Sequence, residues 1–179
     1  HPQFLDALAP FVNARRAQGM SVKLVNVEAV YQRFGLGEPE PSAIREYLRL
    51  AAQSMQTRYV LLVGGDTYDP RDYLGAGSLS FLPTPYRSLH PLVRFGASDA
   101  WYTDLNDDGA PDLVLGRWPV RSVSELNQVI AKTLRPPTNT RALLLADDLD
   151  AADAFSFAGA SDRVAELLAA SSTSKGYLD

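Results

Sequence analysis

Three short apolar runs constrain the fold of this chain more than any other feature of its sequence. They are RYVLLVGGD at residues 58–66, PDLVLGR at 111–117 and RALLLADD at 141–148. Each run ends in glycine, aspartate or arginine, and each is too short for a typical core helix. Continuous apolar runs of this length are typical of strands that are buried on both faces of a parallel sheet. The sequence therefore predicts a sheet that is covered on both sides.

Segments with a helical spacing of apolar residues alternate with these runs. One helix is predicted from Phe4, with a bend at Pro10 and a stop at Gly19. The others are predicted from a cap at Ser42 to about Met55, from a cap at Ser122 to Leu134, and from Ser161 to Leu168. The β-branched alternation of SVKLVNV, residues 21–27, predicts a further strand. Strands that alternate with helices indicate an α/β domain with helices on both faces of the sheet.

Composition narrows the possible partners. The chain has 179 residues, 46% of them hydrophobic, which is enough for a sizeable core. Its formal charge is −4, and the 17 lysine and arginine residues are scattered, so nucleic acid is not an expected partner. No apolar run reaches the length of a membrane span. The chain starts without methionine and is expected to be a piece of a longer protein.

The chain contains no cysteine. Disulfides, thiolate zinc sites and a cysteine nucleophile are therefore excluded within these 179 residues. Its two histidines are His1, at the terminus, and His90, in a long proline- and glycine-containing stretch at residues 67–99. Neither position assembles a nucleophile with its base, so these residues alone are not expected to form a complete catalytic site.

An acidic loop, YTDLNDDGAPD at residues 102–112, precedes the second apolar run. Asp104, Asn106, Asp108 and Asp112 fit the first, third, fifth and ninth positions of a calcium loop, and Gly109 fits the turn position. Position twelve is leucine instead of the bidentate glutamate, which excludes a helix-loop-helix calcium hand. Two interpretations stay open: an Asp-Gly turn into the strand, or a shorter loop that holds calcium. The excess of acidic groups favours the cation, and calcium fits better than magnesium.

The order of these motifs resembles the N-terminal part of the gingipain-type (family C25) cysteine peptidases. The resemblance rests on HPQFLDALAPFVNARRAQG, YVLLVGGDTYDP, SDAWYTDLNDDGAPDLVLGRWPVRS and LLLADD, and it covers nearly the whole chain. It implies a caspase-like α/β fold with three layers and a mostly parallel sheet. It also implies that residues 1–179 are the N-terminal portion of a peptidase domain. The catalytic histidine, in a Gly-His-Gly context, and the catalytic cysteine would follow downstream, so this segment alone would be inactive.

The resemblance also implies roles for individual acidic residues. The acid after the LLLA run, Asp147 or preferably Asp148, matches the carboxylate that orients the catalytic histidine. Asp162 matches an aspartate in the pocket for a basic side chain before the scissile bond, and Asp66 and Asp99 match positions near calcium. Each has a structural alternative, since Asp162 is also expected near a helix N-terminus as a cap and the others are also suitable turn residues.

These observations give two functional hypotheses. The first is a secreted or cell-surface cysteine endopeptidase that acts on peptide or protein substrates, in which this segment packs against the remaining C-terminal part of the same domain. The second is a calcium-stabilised, non-catalytic binding or scaffold module with a caspase-like fold. A Gly-His-Gly motif followed by a cysteine in the downstream sequence would distinguish the first from the second.

Overall fold

The computed structural model describes residues 1–89, 91–135, 141–147, 156–168 and 172–177. The chain folds into two compact units, His1–Leu134 and Arg135–Asp179. Both units are built around parallel strands with helices packed on them. The boundary between the units falls directly after the last helix of the first.

The first unit has a parallel pair of strands at its centre. Strand β1, Tyr59–Val63, lies beside β4, Val114–Trp118, with Tyr59 opposite Val114. The connection between them contains a small antiparallel ribbon of β2, Tyr86–Arg87, and β3, Gly96–Ala97. A 3-10 helix, Asp99–Tyr102, leads from this ribbon towards the acidic loop.

Helices cover both faces of this strand pair. The helices are α1, Ala9–Ala17, α2, Val27–Phe34, α3, Pro41–Met55, and α4, Val123–Leu134. Leu62 packs in one core cluster with residues of α2 and α3, whereas its neighbour Val63 packs in a second cluster with residues of α1 and α4. Because successive side chains of a strand point to opposite faces, the first unit has three layers.

The second unit is a strand–helix–strand element. Strand β5, Arg141–Ala146, pairs in parallel with β6, Ser172–Tyr177. Helix α5, Phe157–Leu167, lies between the two strands in the sequence and packs against β5. Four of the six strands in the described residues therefore pair in parallel, and helices accompany both parallel pairs. The predicted α/β class with a mostly parallel arrangement is confirmed.

The three apolar runs form strands as predicted, the helix predicted after Ser122 has the expected bounds, and the helix predicted from Ser42 has the expected end. Helix α3 ends at Met55, and α4 runs from Val123 to Leu134. Ser122 caps α4, since its Oγ accepts a hydrogen bond from the Glu125 amide at 3.1 Å. Buried strands and amphipathic helices have the clearest sequence patterns because burial fixes their apolar periodicity.

The predicted strand at residues 21–27 is wrong. Residues 20–26 have no regular secondary structure, and Val27 is the first residue of α2, a helix that the prediction omitted. Asn26 caps this helix by accepting the Glu28 amide at 3.0 Å, and Val30 and Tyr31 bury one face of it. The Asn26 cap with an acid two residues later was a helix signal that we did not use. β-branched residues alone do not form a strand without a neighbouring strand to pair with.

Two predicted details of the N-terminal helices are also wrong. Pro10 does not bend a helix, because two 3-10 turns at Pro2–Phe4 and Asp6–Leu8 come first and Pro10 lies in the first turn of α1. Ser42 is not a cap, because α3 begins one residue earlier, at Pro41. Proline is well suited to both places, since the first helical turn does not need its missing amide hydrogen.

The second unit departs from the sequence prediction at two elements. Helix α5 begins at Phe157 instead of after Ser161, and Ser156 caps it by accepting the Gly159 amide at 2.9 Å. Asp162 therefore lies in the middle of α5, and its expected alternative role as a helix cap is wrong. Strand β6 was not predicted, because STSKGY has no apolar run to indicate a strand.

Gly64 ends β1 in a conformation that other residues rarely adopt. Its φ angle is +137°, and a Cβ built on it would lie 2.7 Å from the Cβ of Phe81. Its amide donates to the Trp118 carbonyl at 2.9 Å, so the chain remains attached to β4 while it turns. This close approach lets Phe81 join the core cluster on the α1 and α4 side.

We expect Gly64→Ala to destabilise the first unit more than Gly75→Ala does. Gly75 also has a positive φ, +64°, but a Cβ there would meet nothing within 4 Å. Both variants suffer backbone strain, of about 1–3 kcal/mol, but only Gly64→Ala adds a steric clash, which costs roughly 1–3 kcal/mol more. Urea unfolding of both variants measures the difference. Equal losses would show that Phe81 can move away from position 64 without cost.

Candidate functional site

Arg117 in β4 joins several segments at the carboxyl end of the first unit's strands. Its Nε and Nη2 each donate to a carboxylate oxygen of Asp99 at 2.7 Å. Its remaining bonds go to the carbonyl oxygens of Gly64 and Leu82, both at 3.0 Å, and of Pro83 at 3.3 Å. All five guanidinium donors are thereby used. Burial by itself would lower the pKa of Arg117, but the hydrogen bonds and charge of Asp99 outweigh it and raise the pKa.

Asp66 binds both sides of the segment at Leu82 and Pro83 that contacts Arg117. Its two carboxylate oxygens accept the Ser80 hydroxyl and the Thr84 amide, both at 2.6 Å. Nearby, the buried Tyr102 hydroxyl donates to the Pro83 carbonyl at 2.5 Å, and burial raises the pKa of this tyrosine. The two acids that were predicted to lie near calcium, Asp66 and Asp99, are therefore both engaged by groups of the protein.

Two further carboxylates hold the loop that follows Asp66. The buried Asp69 accepts the amides of Tyr73 and Leu74, both at 2.9 Å. Asp72 accepts three amides, from Ala76, Gly77 and Ser78, at 2.9–3.2 Å. These bonds replace regular secondary structure, because they satisfy backbone donors that a loop otherwise leaves to water.

The acidic loop folds around its own carboxylates. Asp104 accepts the amides of Asp108 and Gly109, both at 3.1 Å, and Asp112 accepts the Leu105 amide at 2.8 Å. Asn106 contacts Asp108 through a 3.1 Å side-chain hydrogen bond. The predicted Asp-Gly turn is present, with Gly109 at a φ of +86°. The loop is thus closed by bonds between its own carboxylates and its own backbone amides, and by one side-chain bond between Asn106 and Asp108.

Two arginines of α3 hold the acidic loop from outside. Arg45 donates to Asp107 at 2.7 Å and also to the Asp104 carbonyl, and its guanidinium lies 4.6 Å from the centre of the Trp101 ring. Arg49 donates to the Leu105 carbonyl at 2.9 Å. The Arg45 hydrogen bond lowers the pKa of Asp107. Part of the negative charge of the loop is therefore balanced by the protein itself.

The acidic loop offers ligand atoms of the type that calcium prefers, but its acidic side chains, all within the described residues, do not converge on one position. It offers only oxygen ligands, and each carboxylate retains lone pairs beyond those that accept amides. In the part of the chain that the structure describes, however, no three histidine or acidic side chains converge closely enough to hold a metal ion. Binding would therefore require the side chains of the loop to rearrange.

A separate opening lies in the second unit, between β5 and α5. Its volume is about 270 Å³, and the residues that line it include Ala146, Asp147, Phe157, Ser161 and Val164. It is located at the carboxyl end of β5, where ligands bind in open α/β sheets. A larger groove in the first unit, of about 740 Å³, includes Arg58, Tyr59 and Val114 at the opposite, amino ends of β1 and β4. The smaller opening is therefore the better candidate for a ligand site.

Asp162 lies next to a residue that lines this opening, Ser161, and it faces β6. Its Oδ1 accepts the Lys175 ammonium at 2.6 Å and the Tyr177 hydroxyl at 2.7 Å. The side chains of Asp162 and Lys175 are 50% and 44% exposed, so water reaches the ion pair. The Lys175 hydrogen bond and then that of Tyr177 lower the pKa of Asp162, whereas the Asp162 hydrogen bond raises the pKa of Lys175.

Two predicted positions lie outside the described residues. They are Asp148, the preferred histidine-orienting acid, and His90. Asp147 is described and lines the opening at the end of β5.

Sequence reasoning missed the basic residues that hold the predicted acids and the acidic loop. Arg117 pairs with Asp99 and Lys175 with Asp162, whereas Arg45 and Arg49 bond to Asp107 and to the Leu105 carbonyl of the acidic loop. One signal was available, because Arg117 stands in a strand run that is otherwise apolar and an arginine withdrawn from water requires partners. The identity of those partners was not available, since Asp99 and the carbonyls belong to segments 18 to 53 residues away in sequence.

The parallel strands and the helices that pack on them define an α/β protein, and the opening beyond β5 is its candidate ligand site. The sequence matches peptidase family C25 over residues 1–179, and the chain belongs to this family of caspase-like cysteine peptidases. Comparisons with curated proteins and with solved structures gave no match. None of the helices in the described part of the chain has the length and apolar character needed to cross a bilayer.

We expect Arg117→Met to lower the free energy of unfolding by about 2–4 kcal/mol, because it leaves the partly buried Asp99 carboxylate and several carbonyls without a donor. Glu46→Gln is the control. It breaks the exposed Arg49–Glu46 pair within α3 and should cost less than about 1 kcal/mol. Urea unfolding measures both values. A loss for Arg117→Met no larger than that of the control would mean that water or another side chain replaces the guanidinium.

Proposed function

We propose that residues 1–179 form the first part of the catalytic domain of a cysteine endopeptidase, and that the chain beyond them supplies the nucleophilic thiolate and the catalytic histidine. Membership of family C25 supports the reaction class, and peptides or proteins are the substrates. The absence of cysteine from residues 1–179 supports a nucleophile in another part of the protein, since a thiolate is needed for attack on the peptide carbonyl.

The opening at the carboxyl end of β5 is the observation that carries this proposal. It is lined by an acid, Asp147, and by apolar groups of α5 such as Phe157 and Val164. We propose that Asp148, directly after Asp147, accepts the second ring N–H of the histidine. A carboxylate there fixes the imidazole tautomer and stabilises the imidazolium that forms when the histidine takes up the thiol proton.

We further propose that Asp162 binds a basic side chain that precedes the scissile bond. Ser161, the residue before it, lines the opening, so Asp162 lies close to the opening although its own side chain faces β6. Its position in the middle of α5 supports this role as well, because the helix does not need this carboxylate as a cap. An ammonium and a hydroxyl already bind to its Oδ1, which indicates that the carboxylate attracts cationic donors.

Calcium is proposed as a stabilising ligand of the acidic loop. The ligands would be Asp104, Asn106, Asp108 and Asp112, which fit in type and spacing. Asp66 and Asp99 remain proposed as nearby metal positions, although an ion at either place would compete with Ser80, Thr84 or Arg117 for the carboxylate. We propose on the family resemblance alone that the enzyme is secreted or displayed on the cell surface.

In the complete enzyme, we expect Asp162→Asn to lower the ratio of kcat/KM for arginine peptides to that for leucine peptides by about tenfold or more. A guanidinium loses its anionic partner, whereas a leucine side chain loses nothing. Glu166→Gln removes an exposed acid from the same helix and should leave the ratio unchanged. An unchanged ratio in Asp162→Asn would remove Asp162 from the substrate pocket. Turnover that resists thiol alkylation would contradict the cysteine mechanism itself.

We expect calcium to raise the melting temperature of this chain relative to a chelator. A ligand that binds only the folded state, present at a hundredfold excess over its Kd, stabilises it by about 2.7 kcal/mol. Asp108→Asn should reduce the difference between the two melting curves, whereas Glu38→Gln, which removes an exposed acid outside the loop, should preserve it. Coincident curves at millimolar calcium would leave the loop as a turn that its own amides stabilise.

A further inference from the structure

Asp162 already has a cation bound to it, and that cation belongs to the protein. Lys175 and Tyr177 are two residues apart on β6, so their side chains leave the strand on the same face. Both donate to the same carboxylate oxygen, Oδ1, at 2.6 and 2.7 Å. Within the described residues these are the two hydrogen bonds that the Asp162 side chain receives, and neither involves its Oδ2.

The ion pair between Asp162 and Lys175 is suited to exchange of the lysine for another cation. Lys175 and Asp162 are each about half exposed, and an exposed pair of this kind contributes little stability because water screens it. An ammonium is a compact charge on a flexible stem, whereas a guanidinium offers two parallel donors that match both oxygens of a carboxylate. An incoming guanidinium could therefore displace Lys175 and also engage Oδ2.

The second unit has supports other than this ion pair. Strands β5 and β6 pair over six residues, from Arg141 opposite Ser172 to Ala146 opposite Tyr177. Helix α5 has its own cap at Ser156 and presents Phe157 and Val164 towards β5 across the opening. The pairing of β5 with β6 and the cap of α5 thus do not involve the Lys175 side chain, which is available for another role.

We propose that Lys175 is an internal competitor for the cation-binding site of Asp162, held in place with the help of Tyr177. The inference rests on the proposed function of Asp162 in the substrate pocket. Lys175 occupies the carboxylate when no substrate is bound, which keeps the acid paired. A basic substrate side chain must displace it, and so Lys175 sets the strength with which the pocket selects for charge.

The test is a binding titration of the 179-residue chain, followed by NMR. The probe is N-acetyl-arginine amide, and N-acetyl-norleucine amide is the neutral control. The variants are Lys175→Met, which keeps the length of the apolar stem, Asp162→Asn, and the double variant. Lys132→Met removes the same charge from an exposed position of α4 and serves as the matched control.

We expect Lys175→Met to bind the arginine probe about three- to fivefold more tightly than the parent chain, the change that corresponds to the stronger exposed ion pairs. The double variant should lose this gain, and Lys132→Met should match the parent. In Lys175→Met the pKa of Asp162 should also rise towards its ordinary value, since its main stabilising partner is gone. Lys175→Gln provides a second variant should the methionine disturb the unit.

Each alternative outcome is decisive. Asp162-dependent binding that is equally strong with and without Lys175 would overturn the competitor role and leave the proposed pocket intact. Absence of binding in every variant would overturn both. A gain that persists in Lys175→Met/Asp162→Asn would show that the probe binds elsewhere and would also overturn the inference.

Discussion

The guanidinium of Arg117 is the constraint on which the first unit depends. A charge that is largely removed from water is costly unless every donor is satisfied, and this side chain, 12% exposed, uses all five donors on four different residues. The bonds join β4 to the end of β1, to the loop at Leu82 and Pro83, and to the 3-10 helix at Asp99. The long irregular segments between β1 and β4 have a defined conformation because they bind the Arg117 guanidinium.

In the loops, carboxylates accept hydrogen bonds from backbone amides, just as Arg117 donates to backbone carbonyls. Asp66, Asp69, Asp72 and Asp104 each accept backbone amides that no strand or helix satisfies. Much of the acid that follows the strands is therefore structural, and an excess of aspartate is not by itself a sign of metal. The acidic loop is the strongest remaining candidate because its oxygens combine calcium-like spacing with exposure to solvent.

The second unit contains the residues that we propose for substrate binding. Its opening lies beyond β5, with Asp147 on its wall, and Asp162 lies one residue from its lining. The ion pair with Lys175 gives that carboxylate a resting partner. A half-exposed pair is weak enough to exchange, which makes a selective cation site compatible with a stable fold.

The sequence by itself determined the strands at residues 59–63, 114–118 and 141–146 and the helices at 41–55 and 123–134, because burial imposes a periodicity that each segment carries alone. It also indicated the family and nearly all the candidate acids. The tertiary structure decided the rest. Residues 21–26 lack a strand because no neighbour pairs with them, and β6 forms from polar residues because β5 supplies its partner. Asp99 contacts Arg117, and Asp162 contacts Lys175, only after the chain has folded. The partner of a charged side chain cannot be read from the sequence around it, because the two residues come from different segments.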